Sequence, residues 1–353
     1  MRAVSTTVKT ARSEAASHAD KLAELRAFLE SGRAWPGEPR PECIETHASL
    51  VYLTRNSAWK LKKPVRLVHV DQQSLKNRTH LCREELRLNR ELSGDLYRGL
   101  TPIVRRPDGS LVLGAEGSIV DWLIESRRLP ASEMLDVRLV DGPPPQCSEV
   151  KAFCDVLAEF YRRQPKSPDA GEVFYRRLVS DSEIAAAHLR EMASKTMVPV
   201  PEQTFGFAAK ALEACCSEMI ERGRQGLIVE GHGDLRTQHV CLIRPPVVFD
   251  RLEIDHGIRL LDPFYEINGL GLECSLMGSG WIRSVLLAEL SQTMIHPSRE
   301  LLFAYGVVAF LTRARIAADH FRDAEVTTPE KWRAKTKQNV DAAVHLVAQA
   351  RSN

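Results

Sequence analysis

The residues with chemical potential gather in one stretch. His232, Gly233 and Asp234 stand on a polar loop between two apolar runs, Leu227–Val229 and Val240–Ile243. A third run, Val247–Phe249, follows a Pro245-Pro246 turn and ends on Asp250. Phosphoryl transfer needs one carboxylate to orient the attacking hydroxyl and accept its proton, and a second to hold magnesium against the phosphates. Two aspartates sixteen positions apart, returned toward each other by a hairpin, match that need. Gly233 lets the loop turn without a side chain in the way.

These loops need elements to hold them. Apolar residues Leu22, Leu25 and Phe28 have helical spacing, so Lys21–Leu29 is expected to form a helix. A loop with Pro36, Gly37, Pro39 and Pro41 then leads into the main body. Ser49–Thr54 and Ala58–Lys62 flank the turn Arg55-Asn56-Ser57 and read as a β-hairpin, with Lys60 and Lys62 on one face and Trp59 and Leu61 on the other. Ser74–Leu92 reads as a helix whose inner face carries Leu75, Leu81, Leu88 and Leu92. Ile103–Val104 and Leu111–Leu113 flank a Pro-Asp-Gly turn, and Ser118–Ile124 is a further short strand. Beyond Pro130 the pattern is mostly helical: Ser148–Arg163, Glu183–Thr196, Phe207–Arg222 and Pro329–Arg351 are helix candidates. A β-rich first third followed by a helical remainder predicts an α+β fold of two unequal lobes with a cleft between them.

Composition narrows the function. The 353 residues include 44% hydrophobic ones, enough for a large core, and the net charge of +2 gives no global drive toward nucleic acid or membrane. The apolar run Leu301–Leu311 falls short of the roughly 20 residues a membrane span needs and reads as a buried helix. None of the eight cysteines forms a C-x-x-C pair; Cys154 and Cys216 read as buried free thiols in a reducing compartment. Met1–Ala16 lacks the apolar core of a secretory signal and reads as a cytoplasmic tail.

Leu227–Glu253 resembles the aminoglycoside phosphotransferase-like branch of the protein-kinase-like fold. More closely, it resembles the phosphotransferase module that in many bacterial proteins precedes a P-loop ATPase domain. The likeness is carried, in order, by Ile44–Thr54, Trp59–Val65, Arg83–Leu92, Arg127–Pro130, Gly231–Arg236 and Val248–Asp250. It implies a two-lobed protein-kinase-like fold. Residues 1–42 would be a tail and helix, 43–125 a small β-rich N-lobe, and 126–353 a mostly helical C-lobe with the catalytic loop. It implies ATP and Mg2+ as cofactors and a small-molecule acceptor, with neither nucleic acid nor membrane as a partner. By the same resemblance Asp234 is the catalytic base, His232 braces its loop, and Asp250 holds the metal with Glu253 as a helper. Lys60 would anchor the phosphates, with Lys62 on the same face as a rival, and Glu84 or Glu85 would be the helix partner. Glu85 points inward better, from its spacing to Leu81 and Leu88. Val120–Ile124 would link the lobes.

The sequence also departs from that pattern. Thr46, His47, Ala48 and Ser49 stand where a glycine-rich phosphate loop is expected, so the Thr46 and Ser49 hydroxyls and nearby N–H groups are the candidate phosphate contacts. Five residues after Asp234 stands His239 in place of the usual Asn; magnesium prefers oxygen ligands, so His239 either takes the second metal position, hydrogen-bonds, or faces substrate. No G-x-x-x-x-G-K-[ST] motif is present. Two other readings share these residues: a nucleotide-binding regulatory module with little catalysis, and a scaffold on a degenerate kinase fold. An aminoglycoside site should be acidic, yet 266–289 holds only Glu266, Glu273 and Glu289.

Overall fold

The computed structural model describes residues 18–67, 70–114, 116–322 and 328–352. The expected tail over Met1–Ala16 lies outside the described residues. The chain divides into two compact units, Met1–Pro130 with Arg251–Ile254, and Ala131–Asp250 with Asp255–Asn353.

The first unit is built on a six-stranded antiparallel sheet. Helix α1 (residues 18–30) precedes β1 (Glu42–Glu45), β2 (Ser49–Leu53), β3 (Ser57–Lys62) and the short pair β4 (Arg66–Leu67) and β5 (Val70–Asp71). Helix α2 (Leu75–Ser93) follows, then β6 (Tyr97–Arg105), β7 (Leu111–Leu113) and β8 (Ser118–Arg127). The order across the sheet is β1-β2-β3-β8-β6-β7. Both expected hairpins form, with Tyr52 opposite Trp59 and Ile103 opposite Leu113. Strand β1, which lacks an alternating apolar pattern, was not legible in the sequence and pairs with β2 at the edge.

Period-two alternation sorts β3. Leu61 packs with Leu25, Phe28 and Leu29 of α1, while Lys60 and Lys62 reach α2. Residues 120–124 lie inside β8, with Leu123 and Ile124 in register with β3 on one side and β6 on the other. Their position is thus a strand interior rather than a linker, because sheet pairing on both sides occupies the backbone there.

Helix α2 starts at Ser74, whose side chain accepts the Asn77 N–H, and stops at Gly94, which has φ 58°. Its buried stripe is Arg78, Leu81, Cys82, Glu85, Leu88, Asn89 and Leu92. The spacing is helical throughout, but three members are polar, and each must find partners out of water. The Arg78 guanidinium donates to both oxygens of Asp121 and to the Gln72 and Gln73 carbonyls. This buried pair fixes α2 on β8.

The second unit is mostly helical. Its helices are α3 (Leu135–Val140), α4 (Cys147–Arg163), α5 (Ala170–Thr196), α6 (Glu202–Ala214), α7 (Cys216–Arg224), α8 (His256–Arg259), α9 (Pro263–Leu276), α10 (Trp281–Leu290), α11 (Arg299–Asp319) and α12 (Pro329–Arg351). Helix α5 is twice the expected length, and the single helix expected over Phe207–Arg222 is two, broken at Cys215. The core joins α5, α6, α7, α11 and α12 around Phe174, Leu189, Tyr305, Leu311 and Leu346. By length and composition α11 could cross a membrane, but 67% of its apolar window is buried, as in a core helix. Four two-residue strands position the loops: β9 (Val229–Glu230) pairs with β12 (Leu260–Leu261), and β10 (Val240–Cys241) with β11 (Val247–Val248). All eight cysteines are free, but Cys216 is only half-buried, whereas its neighbour Cys215 is buried.

Removing Arg78 strands the buried Asp121 carboxylate. Arg78→Ala is therefore expected to lower unfolding free energy by about 3–5 kcal/mol in a urea titration. A loss below about 1 kcal/mol, the range of an exposed pair, would remove this anchor from the account.

Candidate active site

In the first unit two lysines converge on one carboxylate. Glu85 is fully buried; its Oε1 accepts Lys60 Nζ at 2.8 Å and its Oε2 accepts Lys62 Nζ at 2.6 Å. Glu84 instead lies outward and pairs with Arg87. Lys62 also donates to Glu253 Oε1 at 2.5 Å. Burial works to depress the Lys62 ammonium, but Glu253 and then Glu85 hold it above its ordinary value. Glu253 is held below its ordinary value: burial pushes it up, and Lys62 followed by Lys60 more than offsets that. The side chain of Lys60 is 23% exposed against 2% for Lys62, so Lys60 is the more accessible to solvent of the two. Asn89 adds a brace: its Oδ1 accepts the Arg251 N–H at 2.8 Å and its Nδ2 donates to the Arg251 carbonyl at 3.1 Å.

The Thr46–Ser49 loop closes on itself. The Thr46 hydroxyl donates to the Ser49 carbonyl and accepts the Ser49 N–H, and Ser49 itself is 2% exposed. Lys63 Nζ donates to the Thr46 carbonyl at 2.6 Å and to Glu45. The Thr46 hydroxyl is thus engaged within the loop, and Lys63 is the cation beside it.

In the second unit the loop between β9 and β10 is fixed from beneath by Glu266 of α9. The Glu266 carboxylate accepts the His232 N–H at 2.9 and 3.1 Å, the Gly233 N–H at 3.1 Å and the Tyr161 hydroxyl at 2.6 Å. A Cβ at position 231 would stand 2.7 Å from Glu266 Oε1, so Gly231 permits this approach. Gly233 has φ 89°, which turns Asp234 outward. The His232 ring is buried; its Nε2 lies 2.8 Å from the Phe249 carbonyl, and its Nδ1 accepts the Asp234 N–H at 3.3 Å. A carbonyl can only accept and an N–H can only donate, so His232 is the neutral Nε2–H tautomer.

His239 ties the two aspartates together. Its Nδ1 donates to the Asp234 carbonyl at 2.7 Å, and its Nε2 faces Asp250 Oδ2 at 3.6 Å. The Gln238 amide nitrogen lies 3.1 Å from the same Nε2 and donates to it. These two contacts place a ring proton of His239 on Nδ1 and leave Nε2 as the acceptor for Gln238. The rings of His232 and His239 stack at 5.6 Å. Asp250 follows β11 with φ 63°, a left-handed conformation that Asp tolerates better than most residues. Asp234 is exposed.

The sequence candidates therefore fall into two groups: Lys60, Lys62, Glu85 and Glu253 together in the first unit, and His232, Asp234, His239 and Asp250 together in the second. Among the described residues no group of three His, Cys, Asp or Glu gathers at metal-binding spacing. Magnesium characteristically takes one or two carboxylates and completes its shell with water and phosphate oxygens, so Asp250 suits it and the His239 nitrogen suits it less. Glu266, Asn89 and Tyr161 were missed in the sequence. Asn89 carried a signal, a polar residue four after Glu85 on an apolar stripe; Glu266 carried only its place in a nearly uncharged helix. Asp262 is a buried N-cap that accepts the Phe264 N–H and binds Arg222, so its contacts are structural.

No family model matches the sequence. Uncharacterized proteins of Mycobacterium tuberculosis and Mycobacterium bovis are 24% identical to it over 332 residues, or 88% of this chain. The chain spans 59% of the length of those relatives. Among solved structures, a GDP complex of an aminoglycoside 2'-phosphotransferase is similar at TM-score 0.48 and 13% identity, covering 94% of this chain and 99% of the other. A choline kinase of Streptococcus pneumoniae is similar at TM-score 0.49 and 10% identity, covering 92% and 99%. At such identities the likeness says nothing of substrate.

Two outcomes follow from this geometry. Glu266→Gln puts an amide donor against three donors and is expected to cost about 1–3 kcal/mol, read as a lowered melting temperature; an unchanged melt would mean that Glu266 does not hold the loop. For Glu253, a depressed folded-state value means stability present above the ordinary 4.5 and lost as pH falls through the lower folded value. Glu253→Gln should therefore flatten the acid limb of the stability–pH curve below 4.5, and an unaltered limb would contradict the pairing with Lys62.

Proposed function

We propose that this chain is an ATP- and magnesium-dependent phosphotransferase that moves the terminal phosphoryl group to a hydroxyl of a small molecule. What carries the reading is Asp234, an exposed carboxylate on a loop braced by Glu266, His232 and His239, with Asp250 facing the same His239. In this reading Asp234 orients the acceptor hydroxyl and takes its proton as the new O–P bond forms. The bond to the leaving ADP breaks, and ADP carries away the electron pair. Asp250 holds magnesium, which when bound neutralises phosphate charge. Lys60, aligned by Glu85, contacts the nucleotide phosphates, and Lys62 holds Glu85 and Glu253 in place. Residues 43–125 then serve as the nucleotide-binding lobe and 126–353 as the catalytic lobe. The eight free thiols favour a cytoplasmic setting.

A second reading, nucleotide binding without transfer, is favoured by one observation: the Thr46 hydroxyl is engaged within its own loop. A metabolite-pool screen with labelled ATP separates the two. Transfer that needs magnesium and falls about 10²–10⁴-fold in Asp234→Ala supports the enzyme, since that is the usual contribution of a positioned base. Asp250→Ala should abolish the magnesium-dependent transfer as well. Magnesium-dependent ATP binding with no labelled product would favour the second reading.

A further inference from the structure

Beside Asp234 the second unit gathers cations that its own carboxylates do not match. Arg236 lies two residues after Asp234. Its Nη2 is 3.5 Å from Glu273 Oε1, while Arg313 Nη1 of α11 is 3.5 Å from Glu273 Oε2. Both distances are long for a charge-assisted hydrogen bond, which is characteristically about 2.7–2.9 Å. Glu273 also accepts the Thr237 N–H at 3.3 Å, so one carboxylate is shared among three donors. Arg236 Nε is buried with no hydrogen-bond partner among the described residues. Arg313 Nη2 donates to the Leu235 carbonyl at 3.4 Å.

Helix α12 adds the Lys335 ammonium. Lys331 and Lys335 lie over the Trp332 ring, at 5.2 and 5.4 Å from its centre. Crowding by protein atoms, then the charges of Arg236 and Lys331, lower the Lys335 ammonium, and Glu273 opposes them. Burial likewise works to lower Arg236, but Asp234 and then Glu273 raise it. Three cations, Arg236, Arg313 and Lys335, therefore share this corner with Glu273 and Asp234. A guanidinium nitrogen buried with its hydrogen bond unmade is costly in a free protein, and the cost is recovered when an oxyanion arrives. A polycationic acceptor would meet like charge here.

Building on the phosphotransferase reading, we propose that the acceptor carries an anionic group, a phosphate or carboxylate, which Arg236, Arg313 and Lys335 hold while its hydroxyl faces Asp234. Arg236 and Arg313 offer planar forks for paired oxygens, and Lys335 a point charge at the exposed side.

The test has two arms, each with wild type, Lys335→Glu and Arg313→Gln. Lys335 is exposed, so its reversal should leave the melting temperature intact. In the first arm, binding of inorganic phosphate is measured by calorimetry without nucleotide. Binding weakened at least about tenfold in both variants is expected for the loss of one charge-assisted contact. Equal binding in all three proteins, or none in any, overturns the site. In the second arm, a metabolite pool is separated by ion exchange into cationic, neutral and anionic fractions, and each is offered with labelled ATP. Label should enter the anionic fraction, and phosphatase treatment of that fraction beforehand tells phosphate from carboxylate acceptors. Label confined to the cationic or neutral fraction overturns the proposal while leaving the phosphotransferase reading in place. No label in any fraction, with phosphate binding lost in the variants, removes the transferase reading and keeps the anion site.

Discussion

A carboxylate out of reach of water must be solvated by the chain, and the loop that carries Asp234 depends on that constraint. Glu266 is 6% exposed and is satisfied by two successive backbone N–H groups and a tyrosine hydroxyl. Gly231 has no side chain to hold the acid off. Gly233, whose N–H is the second of these donors, lies in the left-handed region and makes the turn into Asp234. The His232 ring, closed between the Asp234 N–H and the Phe249 carbonyl, ties the loop to the hairpin before Asp250.

The first unit solves the same problem differently. Glu85 on α2 is fully buried and is matched by two lysines from one face of β3, where alternate residues share a side. Lys62 is further held by Glu253, so it is coordinated on both flanks and buried, while the Lys60 side chain keeps 23% of its surface exposed.

Charge distribution around Asp234 separates this site from one made for polycations. The overall charge is near neutral, yet Arg236, Arg313 and Lys335 gather where Glu273 is the main opposing acid. Local imbalance, not net charge, sets which ligand such a surface favours.

Much of this was legible in the residues. The β3 alternation put Lys60 and Lys62 on one face, the spacing of α2 favoured Glu85 over Glu84, and the Pro-Asp-Gly and Arg-Asn-Ser turns marked both hairpins. These are local, periodic signals, set by backbone geometry over a few residues. Glu266, thirty-two positions beyond Asp234, gave no such signal, nor did α12 delivering Lys335 toward Arg236 about a hundred residues away. The split of α6 from α7 at Cys215 and the strand interior at 120–124 were also decided by packing and pairing with distant segments. The sequence by itself determined the two aspartates, the lysine face and the order of elements. Only the tertiary structure decided which acid braces the loop, how His239 is held between Asp234 and Asp250, and which cations surround them, because those depend on which distant groups must satisfy one another once water is excluded.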